Sequence, residues 1–316
     1  MNPQTVAAVA ERPVHAPDQI VRRRGRRLPI PRLVAWLALA LLLLITLFPF
    51  YWMLRIALSD NSQLAPHAGS LLPVGTGFGA FRRVLGFTTI EQAQAQGGSG
   101  ASIHFGRVLW NSVLTSTVIT VGQTFFSAMA AYAFARLRWR GREAVFFLFL
   151  TALMIPPIFT ALPNFMLIRE LGLVNTYAGI ILPFFFMTPF AVFFLRQFFL
   201  GISREIEESA MIDGAGHPRR FFRIVLPMST APLATLAILV YITSWNEYFW
   251  PLLVGQDDRV RVLTVALGVF RSQTPSGSPD WSGLMAATLL AALPVIALFL
   301  TFARRIVDSI QFSGIK

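Results

Sequence analysis

Six stretches of this chain run for 22 residues or more without a charged side chain: 33–54, 108–135, 144–168, 171–195, 224–246 and 281–303. A helix needs about 20 residues to cross the roughly 30 Å hydrocarbon layer of a bilayer. Lipid offers open backbone no hydrogen-bond partner, so each stretch is expected to be a helix that satisfies itself. Composition agrees with this reading: 55% hydrophobic, 13% charged, and a mean hydropathy of +0.60 over 316 residues, too apolar for a soluble domain. The expected fold class is an all-α polytopic membrane protein. Six transmembrane helices would fill 33–303, and an even number puts both termini on one side.

Arginine says which side. The net charge is +12, and 26 of the 27 basic residues are Arg. Segments 1–32, 136–143, 196–223 and 304–316 hold 19 basic residues in 81, against 8 in 89 for 55–107, 169–170 and 247–280. The positive-inside rule makes the first set cytoplasmic. The expected layout is an Arg-rich cytoplasmic tail at 1–32, external loops at 55–107 and 254–280, and a cytoplasmic tail at 304–316. The charges lie between apolar blocks rather than on one basic surface, so no nucleic acid partner is expected. Arg136, Arg138, Arg140 and Arg142 read as topology signals in a tight turn. Leu33–Leu54 has too long an apolar core for a cleaved signal peptide and is taken as a retained first span.

Catalysis finds no foothold. The chain has no Cys, which excludes disulfides and thiol chemistry, and His15, His67, His104 and His217 are scattered without an HExxH pattern, so no metal site is expected. There is neither a phosphate-binding Gly-Lys loop nor a nucleophile elbow. Gly75–Gly79 lacks the strand–glycine–helix setting of a phosphate loop and reads as a turn. Uphill transport by such a chain would draw on another subunit or on an ion gradient.

Inside the spans, Pro156-Pro157, Pro183, Pro189 and Pro294 predict kinks, which mark either a transport path or ordinary packing. Glu91–Gly100, EQAQAQGGSG, is low in complexity and is expected to be mobile. Ser244–Leu253 reads SWNEYFWPLL. Trp245 and Tyr248 suit an interfacial aromatic belt, whereas Asn246 and Glu247 stand close to hydrocarbon, where an acid is costly unless paired or wet. A substrate pathway through Trp245, Asn246, Glu247 and Tyr248 and an interfacial anchor both stay open.

The most polar run between apolar segments is EIEESAMIDGAGHPRRFFRIVLP, Glu205 to Pro227. Ser203 is a helix cap followed by three carboxylates, Gly214 is a stop, and Pro218 opens a second helix. A short helix, a glycine turn and a helix leading into the next span are expected, forming a cytoplasmic knob at 201–223 that something outside the chain reads.

Glu208-Ser209-Ala210, three residues, Gly214, nine residues, then Ile224-Val-Leu226-Pro227 resembles the EAA loop of ABC importer permeases, with Ser209 in place of the first Ala. SWNEYFWPLL and the terminal SIQFSGIK resemble the carbohydrate permeases of the maltose type, the MalG-like second permease in particular. The likeness runs over roughly 30–316. It implies that 201–223 docks in a cleft of a cytoplasmic ATPase. Glu205 and Asp213 belong to that surface, Glu208 would pair with a basic ATPase residue, and Gly214 would allow the turn. Ile206, Ala210, Met211 and Ile212 would fill the cleft, with Ile224, Leu226 and Pro227 leading back into the bundle. The 254–280 loop would reach the binding protein, and Ser313, Gly314, Ile315 and Lys316 would touch the ATPase dimer. The implied partners are a second homologous permease, two ABC ATPase subunits holding ATP and magnesium, an extracytoplasmic solute-binding protein, a sugar substrate and membrane lipid. The chain itself would bind no cofactor and sit in a bacterial cytoplasmic membrane. A gradient-driven transporter, a polytopic membrane enzyme and a permease for a non-sugar solute such as a glycerol-phosphate compound are the alternatives.

Overall fold

The computed structural model describes residues 32–98, 103–272 and 279–312, and all regular structure among them is helical. The Arg-rich tail up to residue 31 and Ser313 to Lys316 lie outside the described residues. The chain divides into two compact units, Met1–Pro49 and Phe50–Lys316. The described part of the first belongs to α1 (Arg32–Ala57), whose side chains from Val34 to Phe48 are exposed and almost all apolar. An all-round apolar helix left bare in this way suits lipid rather than water.

In the second unit, α2 (Asn61–Leu64), α3 (Gly79–Val84) and α4 (Ile90–Ala95) precede the long α5 (Phe105–Arg136). The Gln-rich segment is not structureless. Thr89 and Gln92 form a reciprocal capping box that starts α4, so residues 91–95 are helical. Gly75 takes a positive φ of 65°, as the expected turn needs. A buried network ties these small helices to the start of α16 (Trp281–Phe312). Arg83 lies 3.2 Å from Asp280 and donates to Ser282 Oγ at 2.8 Å and Gln96 Oε1 at 2.8 Å.

Three of the six apolar runs are broken rather than continuous. α6 (Arg142–Thr151), with a 3₁₀ turn to Met154, meets α7 (Pro157–Glu170) at 97°. Ile155 and Pro156 each precede a proline, and both are extended, with ψ of 112° and 134°. α8 (Tyr177–Phe185) and α9 (Pro189–Leu200) meet at 43° across the extended Thr188. α10 (Arg204–Ile212), α11 (His217–Arg220), a π-helical turn at Phe221–Val225 and α12 (Leu226–Met228) lead to α13 (Thr230–Trp245), which departs at 79°. Pro232 has no N–H to give the carbonyl of Met228, so the helix cannot run straight through. Pro163, Pro183 and Pro294 sit inside unbroken helices, so a proline does not by itself break a span here; at Pro157 and Pro189 an extended residue precedes it. Among the described residues, three helices are long and apolar enough to cross a membrane, or up to six if each bent pair is one span.

α14 (Phe249–Val254), α15 (Leu263–Ser272) and α16 (Trp281–Phe312) complete the unit. Segment 254–280 is therefore not a free loop over its described length. Val260, Val262, Leu263, Val265 and Ala266 are buried, and Asn111 of α5 donates to the carbonyls of Arg259 at 3.0 Å and Arg261 at 2.9 Å. The core is built around α5, whose buried stripe of Ser112, Thr115, Ser116, Ser127, Ala128, Ala131 and Ala135 lets α9 and α13 approach closely.

Candidate functional site

Two places concentrate polar chemistry: the α10–α11 knob and a cavity along α5. The knob forms as its sequence dictates. Ser203 Oγ accepts from Glu205 N at 3.3 Å and starts α10. The end is a complete glycine stop: Gly214 has φ +77°, its N–H reaches Met211 O at 3.0 Å, and Ala215 N–H reaches Ala210 O at 2.8 Å. Pro218 stands in the first turn of α11.

α10 carries its polarity inside out. Glu207 is 5% exposed, whereas Ile206 is 40%, Met211 48% and Ile212 87% exposed. Glu205, Glu208, Ser209 and Asp213 are exposed as well, and Ala210 is half-buried. Behind the helix, Ile224 and Leu226 are half-buried and Pro227 is exposed. The buried carboxylate is the anchor. Arg136 Nε, at the end of α5, lies 3.1 Å from Glu207 Oε1, an ion pair off the line a hydrogen bond requires. Arg220 of α11 lies 3.9 Å from Oε2, and Tyr132 OH donates to the same oxygen at 3.4 Å. Arg136 also donates to the carbonyls of Phe199 and Ile202 at the end of α9. One cluster thus joins α5, α9, α10 and α11, with Arg136 as a buried structural cation. Sequence reasoning assigned none of Glu207, Arg136, Arg220 and Tyr132 to a site. The one available signal was that Glu207 and Ala210 are three apart on a helix and so share a face.

The cavity, about 230 Å³, is lined from α5 by Ser112, Thr115 and Gln123, from α8 by Phe184, and from α13 by Thr243, Ser244 and Trp245, with Thr188 and Glu247 closing it. Gln123 Nε2 donates to Thr188 Oγ1 at 2.9 Å. Thr115 and Thr243 donate to backbone carbonyls of their own helices at 2.8 and 3.0 Å, so their oxygens remain as acceptors. Glu247 is partly buried. One oxygen accepts from Trp250 N at 3.2 Å, and its carbonyl accepts from Thr264 Oγ1 at 2.7 Å. Of the four pathway candidates, Trp245 and Glu247 line the cavity. Asn246 instead bonds its amide back to Ile242 O at 2.8 Å, and Tyr248 is exposed; neither belongs to the lining. Gln123 and Thr188 were missed because they stand 65 residues apart in the chain, and only the fold brings them together. Among the described residues no group of three or more His, Cys, Asp or Glu could hold a metal ion.

A family model described as binding-protein-dependent transport system inner membrane component matches residues 99–311. The chain belongs to this family. The match takes in the knob, the cavity and the long helix between them. Among curated relatives, this inner membrane component is similar to the sn-glycerol-3-phosphate transport system permease protein UgpE of Brucella abortus (strain 2308), at 32% identity over 277 residues, covering 87% of the chain and 94% of the relative. It is also similar to the arabinooligosaccharides transport system permease protein AraQ of Bacillus subtilis, at 32% over 294 residues, covering 93% and 99%. Its fold resembles a chain from the crystal structure of a bacterial ABC transporter involved in import of the acidic polysaccharide alginate, with a TM-score of 0.69 and 23% identity, covering 86% of this chain and 95% of that one.

Proposed function

We propose that this inner membrane component is the permease subunit of an ABC importer for a sugar, moving its solute by alternating access while separate ATPase subunits hydrolyse ATP. The observation that carries the reading is α10. Its apolar residues Ile206, Met211 and Ile212 are exposed, while its one buried charge, Glu207, is tied to the ends of α5 and α9. A protruding helix that shows apolar side chains and sinks a carboxylate suits a partner-binding handle rather than a solvated surface. Force applied there would reach α5 directly, and α5 lines the cavity. A rigid-body response of the spans is the expected consequence.

In this reading each bent pair counts as one span, which gives six, and α10–α11 forms the coupling helix pair on the cytoplasmic side with both termini. A second permease of the same kind, two ATPases carrying ATP and magnesium, and an external solute-binding protein complete the particle. Glu208, exposed beside the anchor, would meet a basic ATPase residue. The arabinooligosaccharide relative's name supports an oligosaccharide or related carbohydrate as cargo, the glycerol-phosphate relative's name supports the non-sugar alternative, and the chain would bind no cofactor of its own. The test is Glu208→Arg in the reconstituted particle. ATP-driven uptake should fall while the permease still folds, and unchanged uptake would remove Glu208 from the coupling role. A full chain that purifies without an ATPase and transports in ATP-free liposomes would overturn the reading as a whole.

A further inference from the structure

Identity does not choose between cargoes, because the glycerol-phosphate and arabinooligosaccharide relatives stand equally close at 32%. The chemistry of the cavity does. Glu247 is the one charged residue in its described lining, and no Arg, Lys or His faces it there. No cation pairs with Glu247 among the described residues. Arg259 and Arg261, in the segment that packs on α5, pair with Asp257 at 3.9 Å and Asp258 at 2.6 Å. A phosphate or uronate would therefore meet a carboxylate with no cation in the described lining to offset it. A sugar hydroxyl meets the opposite situation. Glu247 is acceptor-only, Ser244 and Thr188 add hydroxyls, Gln123 adds an amide, and Trp245 and Phe184 supply aromatic surface for the apolar side of a ring.

We propose that this cavity receives a neutral polyhydroxylated portion of the solute and turns away anions, with Glu247 as the specificity-determining group. The proposal rests on the reading of the chain as a solute permease. At about 230 Å³ the cavity is smaller than a typical small-molecule pocket, so it holds a segment of an oligosaccharide rather than the whole.

The chain has no Cys, so a single introduced thiol reports cleanly. Ser244→Cys in the assembled importer, with the wild-type particle as background, is labelled with a cationic trimethylammonium-ethyl and an anionic sulfonatoethyl methanethiosulfonate. Each rate is divided by that of a free thiol. The cationic reagent should be favoured at least about tenfold, and adding Glu247→Gln should collapse the preference. Thr243→Cys repeats the measurement should Ser244→Cys fail to assemble. Equal or reversed rates, a thiol that neither reagent reaches, or protection by sn-glycerol 3-phosphate or an alginate disaccharide would overturn the proposal. Association with ATPase subunits is scored on the same preparation. Its loss with the charge preference intact removes the importer reading, whereas a lost preference with the ATPases in place removes only the neutral-solute proposal.

Discussion

Glu207 and Glu208 are neighbours of the same type, yet one is 5% exposed and the other lies on the surface. Truncating the buried one leaves Arg136 and Arg220, whose side chains are 6% and 8% exposed, without their carboxylate. Removing one partner of a buried ion pair costs about 3–5 kcal/mol, because the remaining charge stays desolvated. Glu207→Ala should therefore lower the melting temperature of the detergent-solubilised protein clearly, and Glu208→Ala hardly at all. Equal melting points for the two would refute the anchoring role. Gly214 makes a separate residue-scale case. A Cβ there meets nothing within 4 Å, so only its φ of +77° resists substitution. Gly214→Ala should destabilise by about 1–2 kcal/mol, and Gly214→Asn by less, since Asn tolerates the left-handed region. The same melting assay, run on both variants, checks that order.

Among the elements, α5 shows how close packing is written in small residues. A Cβ on Gly122 would stand 2.3 Å from the Phe185 ring and 2.8 Å from the Phe185 carbonyl oxygen. A backbone atom cannot step aside as a flexible side-chain end can. Gly122→Ala should push α8 off α5 and destabilise by about 1–3 kcal/mol. Gly106→Ala on the same helix is the control: its Cβ meets nothing within 4 Å, and helix propensity alone predicts a gain of about 0.5–1 kcal/mol. Thermal unfolding of the pair separates packing from propensity. At this scale much was legible in advance. The cap at Ser203, the stop at Gly214 and the proline start of α11 rest on local backbone chemistry and stand where the residues place them. The breaks were half legible. Pro156-Pro157 and Pro189 announce them, but Pro183 looks the same on paper and is absorbed, because no extended residue precedes it. The packing within 254–280 was not legible, because the burial of its described residues depends on Asn111 and Ser112 lying opposite.

For the whole molecule, the exposed knob and the internal cavity share one rigid connection, α5, which carries Arg136 at one end of its core contacts and Gln123 and Ser112 along the cavity. If the knob is the partner's handle, its most exposed apolar residue matters to assembly and not to folding. Ile212→Glu, at a position 87% exposed, should leave the permease's own melting point within about 0.5 kcal/mol of wild type. Burying an isoleucine at an interface contributes about 1.5–3 kcal/mol, so ATPase association should weaken about tenfold to a hundredfold. Pull-down of the ATPases at graded concentration reads the effect, and wild-type affinity would count against the handle.

Helix class, membrane residence and the positions of the caps and the glycine stop follow from the chain alone, because charge-free length, capping oxygens and positive φ are local constraints that no neighbour needs to supply. Which of two adjacent carboxylates is buried, which arginine is a strut and which polar residues converge on a cavity were settled only by packing. Successive residues on a helix point about 100° apart, so the face that becomes the inside is unknown until another element covers it.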